Sequence, residues 1–474
     1  MGADGGVAEW FRQGPAKPRT AVRFRPPPPN TGTPGGPPRV VPETRWTHRM
    51  SQPAMNPAPA LHLHRWSDPV VVGTALCSMA SGFGQFGVVA ALGDVARTFG
   101  QVHHGASLTD QAGLSGTELG IGLAVIRLAS FGALPLTGLA DRFGRRRMLL
   151  ITVAVGLTVT VAAVASPGYW WFVAVFALGR PFLSATTALS QVVAAEQTAS
   201  GQRTRAVALV TAGYGVGAGL TAVIHSLASS SLGFRGLFAL AVVPLLLVPM
   251  IARWVTEPDR FAVAAAAGDH SMPVLGAVGS RFRRRLLVLV GLSFALAVVT
   301  GPATTFVFLY AQNVRHLAGG LTAAMVAGAG VAGLVGLLVG RWLADRIGRR
   351  PTGSVGMVGI ALGATLTYSG SSLALVVGYV LGVLAGAVLA PAAGALINEL
   401  FPTGVRASVA GWWLVAGVLG AVGGLVAFGA IADLGNRFSL AALVLFLPAA
   451  SAAGLFWCVP ETKGYEPEDL WPDG

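Results

Sequence analysis

Charge is scarce in this chain. Only 11% of its 474 residues are Asp, Glu, Lys or Arg, against about 25% in an ordinary soluble domain, while 53% are hydrophobic. A string of soluble domains needs far more surface charge than that, and a chain disordered throughout needs far less apolar content. Cysteine is nearly absent. Cys77 and Cys458 both sit in apolar runs, so neither a disulfide framework nor a cysteine-rich metal site can be built. Histidine is thin as well. His62 with His64, and His103 with His104, form pairs that no third ligand completes, and His225 stands alone near the end of its run, so no metal is expected. No nucleophile elbow, phosphate-cradling glycine loop or paired catalytic carboxylate occurs, so neither an enzyme nor a cofactor is expected.

The formal net charge of +13 is unevenly spread. Residues 1 to 66 hold nine Lys or Arg against three acids. They are rich in proline, with Pro26 to Pro29 in succession and Pro34, Pro37, Pro38 and Pro42 close behind, so this tail cannot bury a core and is expected to be disordered. Its apolar stretches are too short for a secretory signal. Met50 and Met55 offer alternative starts that omit most of it. Nothing in it resembles a nucleic-acid module, so no nucleic-acid partner is expected.

From Val70 onward come twelve apolar runs, each close to the ~20 helical residues that cross a hydrocarbon core. They lie near 70–93, 118–140, 148–166, 169–194, 206–228, 236–254, 286–311, 322–344, 353–371, 373–398, 407–431 and 438–458, the ninth and tenth almost touching. Helices are expected because backbone amides find no water in lipid, and the runs lack the alternation of barrel strands. The fold class is therefore an all-α membrane protein with twelve transmembrane helices.

Basic residues orient the chain. The loops after even-numbered runs hold sixteen arginines, among them Arg142, Arg145, Arg146, Arg203, Arg346, Arg349, Arg350 and Arg406. The opposite loops hold four: Arg97, Arg235, Arg315 and Arg437. Positive loops stay inside, so the even-to-odd loops and both termini are expected in the cytoplasm.

The sequence also repeats. Leu139-Ala140-Asp141-Arg142-Phe143-Gly144-Arg145-Arg146 returns 204 residues later as Leu343-Ala344-Asp345-Arg346-Ile347-Gly348-Arg349-Arg350. Glu196 and Arg203 return as Glu399 and Arg406, and Glu257 returns as Glu461. Two six-helix bundles in the same orientation, related by an axis along the membrane normal, follow from this. The expected organisation is a tail over 1–66, bundles over 67–254 and 286–458, a cytoplasmic linker over 255–285 and a cytoplasmic tail over 459–474.

These residues resemble the major facilitator superfamily, and within it the sugar-porter and metabolite-symporter-like branches. The resemblance covers about residues 69 to 464. It rests on the two LADRxGRR loops, on Asn398-Glu399-Leu400-Phe401-Pro402-Thr403-Gly404-Val405-Arg406-Ala407, and on Pro460-Glu461-Thr462-Lys463-Gly464. It implies two bundles rocking about a central solute cavity. There are departures. Thr137 and Arg341 replace the family's loop glycine, with glycines displaced to Gly138 and Gly340. Gly179-Arg180-Pro181-Phe182-Leu183-Ser184 alters the fourth-helix pattern, and Ser81 to Gln85 holds no aspartate of the kind many proton-coupled relatives carry in the first helix. The glycine-proline signature of antiporters is missing from Gly213 to Gly219.

The loop motif makes physical sense as a latch. A carboxylate beside a helix N-terminus gains ~0.3 to 1 kcal/mol from the partial positive charge there. Asp141 and Asp345 could clamp neighbouring helix ends, and Arg142, Arg145 and Arg146, with Arg346, Arg349 and Arg350, can pair with Glu196, Glu257, Glu399 and Glu461. Gly144, Gly348, Arg203 and Arg406 complete the set. Gly378, Gly382 and Gly386, and Gly336 with Gly340, form small-residue stripes that read as helix packing.

Two charges lie deep in the runs. Arg127 is fourteen residues before Asp141, roughly 21 Å from the loop at 1.5 Å per residue, and Arg180 is near mid-depth in the fourth run. A charge at a helix centre costs at least ~2.5 to 3.5 kcal/mol, so such residues are functional candidates. No Asp or Glu shares that depth, which points to an anionic or strongly polar solute as the counter-charge. Gln85, Tyr214, Tyr310, Gln312, Trp412 and Trp413 are further lining candidates. Asp94 and Glu118, near the outer boundary, are the candidate proton carriers.

The function expected is secondary, alternating-access transport of a small polar or anionic organic solute across the cytoplasmic membrane. The partners are the solute, the lipid bilayer and protons as candidate coupling ion, with the protein a monomer. Efflux of amphipathic drugs and a non-transporting receptor or sensor are the alternatives.

Overall fold

A computed structural model describes residues 64–101, 112–258, 278–435 and 437–465, without the side chains of residues 200, 201, 229, 230, 403, 404 and 407. The tail expected over 1–66 lies almost wholly outside the described residues, as do His62, His103, His104, much of the linker and the end of the C-terminal tail.

Every apolar run is helical. The long helices are α1 Pro69–Ala90, α2 Gly116–Phe143, α3 Arg145–Ala165, α4 Tyr169–Gln197, α5 Gln202–Ala228, α6 Ser231–Trp254, α7 Ser280–Val314 and α8 Gly319–Ile347. They continue as α9 Arg349–Thr367, α10 Ser372–Glu399, α11 Ser408–Gly435 and α12 Phe438–Cys458. Among the described residues, eleven of them are long and apolar enough to cross a membrane. The ninth falls short in hydropathy, because Arg349 and Arg350 open it and Gly353, Gly356, Gly359 and Gly363 dilute its apolar residues. It ends at Thr367, and the short turn through Gly370 separates it from α10.

Local chemistry sets the breaks. Proline stands at the first turn of α1, where its missing N–H costs nothing. Ser115 caps α2 by accepting from the Glu118 N–H at 3.1 Å. One residue separates α2 from α3, and one separates α8 from α9: Gly144 at φ 99° and Gly348 at φ 106°. Side chains other than hydrogen rarely tolerate that conformation, so the glycine of each LADRxGRR copy is what makes the sharp reversal.

The packing repeats with the sequence. In the first half α1 packs on α5 and α3 on α4; in the second, α7 packs on α11 and α9 on α10. The halves meet along two seams, α2 on α11 and α8 on α5, which exchange when six is added to the helix number. That exchange is the signature of a two-fold axis between the bundles. Phe99, Phe172, Phe176, Phe234 and Phe238 fill the first half at the end opposite the arginine-rich loops. Phe306, Tyr310, Tyr368, Phe428, Phe438 and Phe446 do so in the second.

The glycine stripes divide into two kinds. A Cβ on Gly336 or Gly340 would run into the α10 backbone at Leu384 or Val388, so these glycines bring α8 and α10 together. Gly378 likewise abuts Thr367. Gly382 and Gly386 have room: a Cβ there would approach nothing closer than 3.8 Å and 3.9 Å, and the close approach of α9 at Gly382 is made by Gly363.

Candidate functional site

The two deep arginines reach one cavity. α4 carries Arg180, which is buried; its Nε donates to Ser130 Oγ at 3.1 Å and a terminal nitrogen donates to the Gln85 carbonyl at 3.5 Å. Ser130 opens a single tight turn, Ser130–Gly132, that interrupts α2 and places its hydroxyl within reach. Arg127 lies one turn earlier on α2, exposed to the cavity, with no hydrogen bond to any described residue. Gln85 is fixed by α1 and α4: its amide donates to Ser81 Oγ at 2.8 Å, and Ser81 donates in turn to the Leu183 carbonyl at 2.6 Å.

Arg127, Arg180, Gln85 and Tyr214 line both lobes of this cavity. One lobe, about 260 Å³, faces Thr300, Thr304, Thr305 and Leu425 of the second half. The other, about 360 Å³, adds Ser130, Ser184, Thr187, Gln191 and Leu414. Among the described residues no carboxylate lines either lobe. The arrangement is a cationic recess faced by threonines and leucines, suited to holding a small anion without covalent chemistry.

Of the lining residues read from sequence, Tyr310, Gln312, Trp412 and Trp413 are not brought to it. Tyr310 stacks in the aromatic cluster with Tyr368 and Phe438, Gln312 belongs to a π-helical turn, and Trp412 sits on α11 outside both lobes. Ser130, Thr187, Gln191, Thr300 and Thr304 went unread. Positions 180, 184, 187 and 191 recur at helical spacing, so the polar stripe on α4 was present in the sequence.

At the arginine-rich end each half makes its own network. Arg145 pairs with Asp141 at 3.2 Å and with Glu196; Arg349 pairs with Asp345 at 3.6 Å and with Glu399 at 3.1 Å. The helix ends are capped by glutamates rather than by the expected aspartates. Glu257 accepts from the N–H groups of Arg145 and Arg146, and Glu461 from those of Arg349 (2.8 Å) and Arg350 (3.0 Å). Asp141 and Asp345 are drawn aside because an arginine four residues on lies within reach of each. Partial burial pushes the Glu461 carboxyl up, but the N–H donors of Arg349, Arg350, Lys463 and Thr462 outweigh it and hold the group below its usual value. Arg203 and Arg406 donate to the carbonyls of Ala195 and Phe401, Arg346 lies over Trp342, and Arg142 is exposed.

At the opposite end the contacts cross between halves. Asp433 on α11 accepts from the Gly116 N–H at 2.7 Å, the Thr117 N–H at 2.7 Å and the Thr117 hydroxyl at 2.6 Å, all at the start of α2. Asn313 donates to the Gly93 carbonyl at 3.4 Å. Beside Gly93, on a short helix after α1, Asp94 Oδ2 lies 2.7 Å from Nε2 of the fully buried His225. Glu118 sits in the first turn of α2, its carbonyl accepting from Tyr169 at 3.2 Å.

Comparison with known proteins places this geometry. The chain matches the Major Facilitator Superfamily model over residues 74–343 and 320–470, and it belongs to that family. It is 26% identical over 377 residues to a probable 4-methylmuconolactone transporter of Cupriavidus pinatubonensis, covering 77% of this chain and 86% of the relative. It is 28% identical over 398 residues to a gallate transporter of Pseudomonas putida, covering 73% and 84%. Among solved structures it resembles the inward-open conformation of the xylose transporter XylE from E. coli, with a TM-score of 0.66 at 19% identity over 85% of this chain and 98% of that one. The protein is thus a multi-pass membrane protein and a secondary transporter of small organic solutes, not an enzyme.

Proposed function

We propose that this transporter carries a small organic anion, an aromatic or unsaturated carboxylate, across the cytoplasmic membrane by alternating access. The observation that carries this reading is the convergence of Arg127 and Arg180 on one cavity that no carboxylate among the described residues lines. Two cations at mid-depth are costly, and an arriving carboxylate supplies the missing counter-charge where the protein does not. Arg127, which has no hydrogen bond of its own, is the first contact; Arg180, held by Ser130 and Gln85, is the fixed one. The gallate and 4-methylmuconolactone named for two relatives are small unsaturated organic molecules of the size this recess takes.

The arginine-rich loops and both termini face the cytoplasm in this reading. With the opposite end closed by Asp433 and Asn313, the described conformation faces inward. The Asp141-Arg145-Glu196 and Asp345-Arg349-Glu399 networks, each within one half, brace the inner end of their own bundle and do not latch the two bundles to each other. Protons drive uptake through Asp94 and Glu118, and the protein works as a monomer.

Counterflow in proteoliposomes tests the proposal. Labelled gallate is expected to exchange, while xylose and a cationic dye are not. Exchange of the dye with none of gallate would make the protein a drug exporter, and binding without exchange would make it a receptor.

A further inference from the structure

Behind α7 the second half holds an apolar slot of about 150 Å³, bounded by Thr300 and Thr304 on α7, Gly382 and Gly386 on α10, and Ile360 and Ala364 on α9. Both threonine hydroxyls are engaged by their own helix: that of Thr300 donates to the Leu296 carbonyl at 3.0 Å and that of Thr304 to the Thr300 carbonyl at 2.7 Å. The same two threonines line the arginine cavity. They form a lip with the cationic recess on one side and the slot on the other.

The first half shows what this seam looks like when it is shut. There the corresponding helices α1 and α4 are zipped by Ser81 donating to the Leu183 carbonyl at 2.6 Å and by Gln85 donating to Thr187 at 3.3 Å. In the second half no hydrogen bond crosses from Thr300 and Thr304 to Gly382 and Gly386. Nor does close packing require those glycines, since each has room for a Cβ on its helix. Glycine at these positions leaves space beside the helix, although on its other side Gly363 of α9 brings its backbone close to Gly382.

We infer that the slot receives the apolar ring of the transported anion, whose carboxylate rests on Arg127 and Arg180 across the lip, and that Gly382, Gly386 and Ile360 set the ring size accepted. The inference rests on the proposed anion reading and adds a size filter to it. The charged end is then recognised by the first half and the ring by the second, so a bound solute spans both bundles. One fused or bulky ring too many meets Ile360 in the slot's lining.

Binding of benzoate and 2-naphthoate to the purified full chain tests this. Gly386→Leu places a side chain at the slot, its Cβ meeting nothing closer than Ile360 at 3.9 Å, and is expected to weaken benzoate about tenfold or more, on the scale by which apolar pockets discriminate single groups. Ile360→Ala deepens it and is expected to raise the naphthoate-to-benzoate affinity ratio by about tenfold. Arg127→Gln weakens both acids and leaves their ratio as it was. A ratio unmoved by Ile360→Ala, in a protein that binds benzoate, overturns the slot and spares the anion reading; this variant decides the matter even where Gly386→Leu fails to fold. Binding of neither acid by the parent overturns the anion reading, and the slot's occupant with it.

Discussion

The two ends of the molecule use the same chemistry, carboxylates on helix N-termini, in opposite ways. At the arginine-rich end Glu257 and Glu461 each cap a helix of their own half, and Arg145 and Arg349 draw in acids of that half. At the other end Asp433 of the second half caps α2 of the first. Charges kept within a bundle make it rigid; charges shared between bundles hold them in one of two arrangements. The first kind of contact can survive a full transport cycle, whereas the second must break each time that end opens.

That difference can be broken experimentally, and the largest effect is expected at Asp433. Asp433→Asn loses charge-assisted bonds from Gly116 and Thr117, about 2 to 3 kcal/mol, which is roughly 30- to 150-fold in the balance between closed and open outer ends. Spin labels at the exposed Thr98 and Leu434 should report a longer distance population in the variant. Arg145→Ala leaves Asp141 and Glu196 without their cation. Their partial exposure reduces the cost to about 1 to 2 kcal/mol, seen as a lower melting temperature with the Thr98–Leu434 distances unchanged. A variant that changed both readouts together would erase the distinction between the two ends.

Smaller effects sharpen it. Asp94→Asn weakens the contact with His225 by about 1 kcal/mol, and is expected to slow proton-driven uptake while leaving counterflow, which moves no net proton, largely intact. The smallest effect belongs to Glu461. Its folded-state carboxyl is held below the ordinary value, so its contribution is present above the unfolded pKa and lost only as pH falls through the lower folded one. Thermal stability should therefore show no Glu461-dependent change between pH 7 and pH 5, with the difference between the parent and Glu461→Gln shrinking only in stronger acid.

Much of the fold was legible because lipid leaves the chain few options. Apolar runs of spanning length must become helices, and a duplicated LADRxGRR loop with glycine at the reversal fixes where two pairs of them turn. α9 was legible as a run although its glycines and arginines lower its hydropathy. Arg127 and Arg180 stood out because depth makes charge costly. What stayed hidden was which helices meet. Asp433 reads as an ordinary helix-end acid until α11 is seen against α2, and Gly382 and Gly386 read as packing glycines until the space beside them is seen. Tyr310 and Trp412 misled for a related reason: polar-tipped aromatics suit a cavity, an aromatic cluster and a membrane boundary alike.

The central claim is that a solute carboxylate completes the charge balance of Arg127 and Arg180. Uptake of gallate measured against its uncharged methyl ester, in the parent and in Arg127→Gln, tests it most directly. The parent should favour the acid strongly, and the variant should lose most of that preference while still admitting the ester. An acid-to-ester preference that survives Arg127→Gln unchanged would contradict the account.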